Sequence, residues 1–185
     1  MLKKLLGSAF LLLSSTITIS AAEQDAFAPV RFLTGTWMGA ASGEPGSGTA
    51  QRTYAFVLGN KFIQERNQTT YPPQERNKAG EVHEHWSLIG YDKARKLLTF
   101  RQFHQEGFVA TYVLNAAASS AEKVVFESEQ LENIGIGWRA RETYEVVSAD
   151  EFIETFELSE SGKPYELYSR THFKRQARAA AVLGR

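Results

Sequence analysis

From Phe32 onward the chain is a succession of short runs rich in Val, Ile, Thr, Phe, Tyr and Trp, each ended by turn residues. That pattern is the signature of β-strands. No stretch in this region repeats apolar residues at i, i+3 and i+4 over a dozen positions, as an amphipathic helix would. The runs predict ten strands: Phe32–Ala40, Thr49–Leu58, Lys61–Tyr71, Glu81–Tyr91, Lys96–Gln105, Phe108–Asn115, Lys123–Gln130, Trp138–Val147, Glu151–Leu158 and Tyr165–Lys174. Most links are tight, among them Leu58-Gly59-Asn60, Glu106-Gly107 and Ser161-Gly162-Lys163; Pro72–Gly80 and Ala116–Glu122 are longer. Tight links make sequential strands antiparallel neighbours. Ten strands with two free edges would invite aggregation, and closure abolishes the edges. The expected fold is all-β: a single up-and-down antiparallel β-barrel of about ten strands. Eight strands enclose just enough room for side chains or one small ligand, so ten predict an internal cavity.

The chain before Phe32 follows another pattern. Lys3 and Lys4 precede a mostly apolar stretch from Leu5 to Ile19, and Ser20-Ala21-Ala22 supplies small residues where a signal peptidase cuts. The stretch is interrupted by Ser14, Ser15 and Thr16 and falls short of the roughly 20 apolar residues of a membrane span. The expected organisation is a signal peptide over 1–22, a lead-in over 23–31, the barrel over 32–175 and a C-terminal tail over 176–185. The mature protein is expected in the periplasm or secreted, without a membrane span, as a monomer or homodimer.

Charge and cysteine content narrow the chemistry. The chain has 21 basic and 21 acidic residues, which speaks against a nucleic-acid partner that relies on a basic field. Losing Lys3 and Lys4 leaves 19 basic residues against 21 acidic ones. There is no cysteine, hence no disulfide, thiol nucleophile or thiolate-bound metal centre. No Gly-x-Ser-x-Gly elbow, phosphate loop or dinucleotide fingerprint is present. The acids of Glu127-Ser128-Glu129 and of Glu154 to Glu157 alternate with other residues and read as a solvated face.

Hairpin register tests which side chains meet, because directly opposed residues share a face. With Tyr91 opposite Lys96 and Gln105 opposite Phe108, one face of three strands holds Glu84, Trp86, Arg101, Phe103 and Tyr112. The other holds His83, His85, Phe100, Gln102 and His104. The first is the more aromatic and is expected inside. There Arg101 would lie between Trp86 and Tyr112 and near Glu84. A buried Arg must be paired or bind an anion, so it either anchors a ligand carboxylate or pairs with Glu84. On the other face His83, His85 and His104 converge as the ligands of a zinc or copper site do; on an outer wall they are ordinary exposed histidines. A slip of one residue would exchange the two faces. For the last hairpins, Ser148 opposite Glu151 and Leu158 opposite Tyr165 put Arg170 and His172 on the less apolar face.

Phe32-Leu33-Thr34-Gly35-Thr36-Trp37-Met38-Gly39 carries a Gly-x-Trp on the first strand. This resembles the opening of the calycin superfamily, which includes lipocalins, fatty-acid-binding proteins and nitrobindin-type haem barrels. The nitrobindin opening, Leu-x-Gly-x-Trp-x-Gly, is the most similar. The resemblance implies a ligand barrel in which Trp37 plugs one end beside an Arg of the last strand, Arg170 or Arg175. It implies a haem ligand at His172 in the nitrobindin reading. In the fatty-acid-binding reading Arg170 of Arg170-Thr171-His172 meets a carboxylate. The functions that follow are binding of a small apolar or carboxylated ligand, haem binding through His172, or a calycin-type isomerase, cyclase or decarboxylase using Arg101, Tyr112 and Glu84.

Overall fold

The computed structural model describes residues 26–75 and 77–177. The expected signal peptide over 1–22 lies outside the described residues, as does the tail beyond 177. Ten strands run in chain order: β1 (Gly35–Gly43), β2 (Gly48–Val57), β3 (Phe62–Tyr71), β4 (Glu81–Asp92), β5 (Leu97–His104), β6 (Val109–Leu114), β7 (Lys123–Glu132), β8 (Arg139–Ser148), β9 (Glu151–Ser159) and β10 (Glu166–Arg175). Each pairs antiparallel with its sequence neighbours, and β1 pairs with β10 from Trp37↔Arg175 to Gly43↔Ser169, closing the barrel. The all-β up-and-down barrel expected from the turn pattern is the observed fold.

The first strand starts three residues later than expected. Pro29 instead opens a short 3-10 helix, Ala28–Leu33, a place where its fixed φ and missing N–H cost nothing. The helix seals one end of the barrel with Val30 and Leu33, both fully buried. Trp37 donates from Nε1 to the Leu33 carbonyl at 2.7 Å. The Arg175 guanidinium lies 4.0 Å over the Trp37 ring and donates to the carbonyls of Thr34 and Phe32 at 2.7 and 3.0 Å. Behind this plug, Phe100, Phe126, Tyr144, Phe152 and Phe173 fill the lumen. The core therefore occupies one half of the barrel, and the other half is free to hold a cavity.

Register breaks decide which residues face that cavity, one of them a bulge in β7 opposite Thr111 and Tyr112. The β5–β6 connection is a three-residue turn rather than the expected two, with His104 paired to Phe108 and Gly107 at a φ of 88°. A positive φ at the last position of such a loop is the usual demand for glycine. Pairing then becomes Phe100↔Tyr112 in place of Arg101↔Tyr112, and Tyr112 crosses to the histidine face. In β8–β9, Ser148 does oppose Glu151 as expected, but a bulge between Val146 and Ser148 shifts the remaining pairs. Another bulge, between Leu167 and Ser169, resets β10. Each bulge adds one residue and so exchanges the faces beyond it.

The expectation that the aromatic face of β4–β5 points inward is corrected. Trp86 and Phe103 are 55% and 49% exposed; they pair across the outer wall, where the Arg66 guanidinium covers Trp86 at 4.7 Å. His85, Ser87, Phe100 and Gln102 are the buried face.

Candidate functional site

The open half of the barrel encloses a cavity of about 320 Å3. Its floor is polar. Arg52 enters from β2 between the buried Ala50 and Tyr54, and it is the only Lys or Arg among the described residues that line the cavity. Its Nε donates to Asn67 Oδ1 at 3.0 Å and pairs with Glu65 Oε1 at 3.1 Å. One terminal nitrogen reaches the Tyr54 hydroxyl at 3.3 Å and forms an ion pair with Glu154. The guanidinium also lies 4.6 Å from the Phe173 ring centre. A single cation thus faces three lumen carboxylates, those of Glu65, Glu142 and Glu154.

These acids differ in charge. Burial acts to raise the Glu65 carboxyl, but Arg52 and His85 hold it down to about 2, so it is ionised. Burial pushes Glu142 well above the usual carboxylate range, and the neighbouring Glu154 carboxylate adds to the shift. Glu142 Oε1 accepts from Gln102 Nε2 at 3.4 Å. Glu142 Oε2 has no N–H or O–H donor among the described residues, and the group beside it, Glu154, is an acceptor unless a proton lies between them. Gln102 Oε1 and the Tyr144 hydroxyl are likewise buried without a partner. Buried polar atoms left in this state cost about 1–3 kcal/mol each, which marks the floor as a place where a ligand or water completes the bonding.

The mouth is imidazole-rich. His85 on β4 faces His104 on β5, and His83 stands two residues before His85 on the same face. The three ring centres are 5.1–5.5 Å apart. His83 Nδ1 lies 2.8 Å from Glu106 Oε1, and His85 Nε2 lies 3.2 Å from Glu65 Oε1. His104 stacks on Phe108 at 3.9 Å. Burial and the two neighbouring histidines push its pKa down to about 2, so it is neutral.

The remaining expected site residues are dispersed. Tyr112 is buried in the lumen wall at 1% exposure. Glu84 and Arg101 are on the outside, with Glu84 bonded to Gln68 at 2.6 Å. The grouping of Arg101, Tyr112, Trp86 and Glu84 around a ligand is therefore corrected: the barrel wall separates Tyr112 from the other three. Arg170 and His172 also face outward, at 53% and 43% side-chain exposure, because the β10 bulge turns Thr171 and Phe173 inward instead. His172 pairs with Glu151 at 3.0 Å on the surface, so it cannot ligate a haem iron held in the lumen. Glu154, expected on a solvated face, is a lumen residue.

Arg52, Glu65, Glu142 and Glu154 form the floor and were not anticipated. The signal for two of them lies in their neighbours: Arg52 alternates with Ala50 and Tyr54, and Glu65 with Ile63 and Asn67. A charge at period two on an apolar face points inward with that face.

No protein-family model matches the chain, and no curated protein sequence matches it. Among solved structures, the chain is similar to the crystal structure of Rv2717c from M. tuberculosis, with a TM-score of 0.60 and 15% identity over 82% of this chain and 98% of that one. A redesigned β-barrel, b11L5F_LGL, aligns with a TM-score of 0.42 at 11% identity, over 79% of this chain and 93% of the design. The first similarity is one of fold.

Proposed function

We propose that the protein is an exported calycin-type barrel that binds a small molecule in its lumen. The observation that carries the reading is the cavity itself. It measures about 320 Å3, at the lower end of the range for small-molecule sites. Apolar walls from Phe108, Leu131, Phe156 and Leu158 lead down to a floor with acceptors that lack donors. The Trp37–Arg175 closure supports the calycin assignment, and the signal-like leader supports export.

The floor also sets the ligand's chemistry. Arg52 is already committed to Glu65 and Glu154, so a ligand carboxylate would meet Glu142 and Glu154 without a free cation to bind. An apolar body carrying a hydroxyl or amine head fits: the head meets the Glu142 carboxyl at the floor, and the body covers the walls. This replaces the carboxylated ligand suggested by the sequence, because its anchors Arg101 and Arg170 are outside.

Displacement of an environment-sensitive fluorophore by octanol, octylamine and octanoate tests the reading. The alcohol and the amine are expected to displace the probe at lower concentration than the acid. Ala140→Phe and Leu158→Trp, which fill the lumen, are expected to abolish probe binding while leaving a cooperative unfolding transition. Octanoate as the strongest competitor, or probe binding unchanged in both filled variants, would overturn the reading.

A further inference from the structure

Two of the three rings at the lumen mouth have their tautomers assigned by carboxylates. Glu106 and Glu65 only accept, so His83 Nδ1 and His85 Nε2 carry the protons that point at them. A neutral imidazole has one N–H, which leaves lone pairs on His83 Nε2 and His85 Nδ1. These two nitrogens lie 3.4 Å apart. Two acceptors at that distance repel each other unless a proton or a metal cation sits between them. Asn67 Nδ2, at 3.5 Å from His85 Nδ1, is at the limit of hydrogen bonding and leaves the pair uncompensated. His104 supplies the third nitrogen. Both of its ring nitrogens are buried with no partner among the described residues, while the ring is held against Phe108. One nitrogen from each ring falls within a set no wider than 4.8 Å.

That spacing has a chemical meaning. Nitrogens bound at about 2.0–2.1 Å to a tetrahedral ion lie roughly 3.3–3.4 Å from one another, the separation already present between His83 and His85. A small rotation of the His104 ring closes the third side. We infer that His83, His85 and His104 form a three-imidazole site for a divalent transition metal of zinc or copper type, with its fourth position open to the lumen. Imidazole nitrogens favour these ions over magnesium or calcium. Three protein ligands rather than four leave a position for water or for a ligand in the cavity. Glu106 and Glu65 play the outer role that orients metal-bound histidines and raises their basicity. A dication here also balances a lumen in which carboxylates outnumber the single guanidinium. The neighbouring set of Glu81, His83 and Glu106 is less suited, because both of its acids are exposed and Glu106 is already bonded to His83. This inference stands apart from the lumen ligand and needs none to be bound.

The test uses the tag-free, chelator-treated protein. Cobalt(II) titration followed by visible absorption, with zinc competition and calorimetry, should give one ion per chain and the intense bands of a four-coordinate site. His83→Gln, His85→Gln and His104→Gln should each weaken zinc binding by at least about 100-fold, and Glu106→Gln by about 10–100-fold. His172→Ala and Glu81→Gln should leave it unchanged, as should the lumen-filling Leu158→Trp, which separates this site from the lumen ligand. Near-UV circular dichroism verifies that each variant is folded. Zinc binding no tighter than about 1 mM, or binding that survives all three histidine substitutions, would overturn the assignment.

Discussion

Arg52→Met should be among the most damaging single changes in this barrel, although it removes no apolar contact of consequence. Methionine occupies much the same length of lumen, so the loss is electrostatic. The guanidinium is 4% exposed and is shared by Glu65, itself 0% exposed, and by Glu154 at 5%. Its removal leaves two carboxylates facing each other across a desolvated floor, with Asn67 and Tyr54 also losing a partner. Breaking a buried pair by deleting one side costs about 3–5 kcal/mol, because the surviving charge is neither solvated nor compensated. Against a typical total of about 5–15 kcal/mol, that is about a fifth of the stability or more. The comparison with Glu154 sharpens the prediction. Glu154→Gln leaves the Arg52–Glu65 pair intact and should cost about 1–3 kcal/mol. In the double variant one of the two carboxylates that the loss of Arg52 would orphan is already gone, so the combined loss should fall short of the sum by about 1–3 kcal/mol. Urea unfolding followed by tryptophan fluorescence, with chelator present so that metal loss does not contribute, measures all four corners of the cycle. An unchanged m-value shows that the same surface is exposed in each. A cost below about 1 kcal/mol for Arg52→Met, or strict additivity with Glu154→Gln, would refute the picture of one guanidinium neutralising two buried acids.

Two further consequences follow from the same structure. Glu142 has a folded-state pKa above its unfolded value of roughly 4.3; between the two, the native state holds a proton that the unfolded chain has released, so stability falls as pH rises, at a limit of about 1.4 kcal/mol per pH unit. Glu142→Gln should therefore match the parent near pH 4 and exceed it at pH 8 in urea midpoint, and a difference that stays constant with pH would contradict the assignment. At the plugged end, Arg175→Ala should cost about 2–4 kcal/mol through the lost bonds to the Thr34, Phe32 and Ala149 carbonyls, the exposed pair with Asp150 and the bared Trp37 face. Arg175→Lys should restore little of it, since an ammonium cannot serve three carbonyls while lying flat on the indole; a lysine variant with the parent's thermal midpoint would remove that explanation.

The closed barrel was legible in the sequence because it follows from features that need no long-range information. Turn residues end each run after eight to eleven residues, each tight turn makes its flanking strands antiparallel, and closure is the remaining way to protect two edges. The Trp37 plug was legible for a similar reason, with Arg175 one of the two arginines named for it. The faces were not legible, because strand identity survives an error of one residue and facing does not. The turn at Glu106-Gly107 contains Gln105 as well, and that single residue moves Tyr112 through the wall. Val147 and Tyr168 are the extra residues of their bulges, and neither carries a local signal such as a strand glycine that would announce one.

The inward assignment also failed for a reason rooted in how this barrel divides its interior. Choosing the more aromatic face assumes that the lumen is uniformly greasy. Here burial of apolar area is concentrated at the Trp37 end, where Phe100, Phe126, Tyr144, Phe152 and Phe173 stack. That cluster supplies stability without help from the open half. Freed of that task, the open half can hold Arg52, three carboxyl groups and three imidazoles at the cost of their desolvation, offset for Arg52, Glu65, Glu154, His83 and His85 by a neighbour of opposite role. Trp86 and Phe103 are correspondingly dispensable inside and sit on the outer wall under Arg66. The histidines and acids therefore belong to the inner surface because the aromatic end makes a polar lumen tolerable, and hydrophobic contrast between two faces misreports direction wherever half of a lumen is polar.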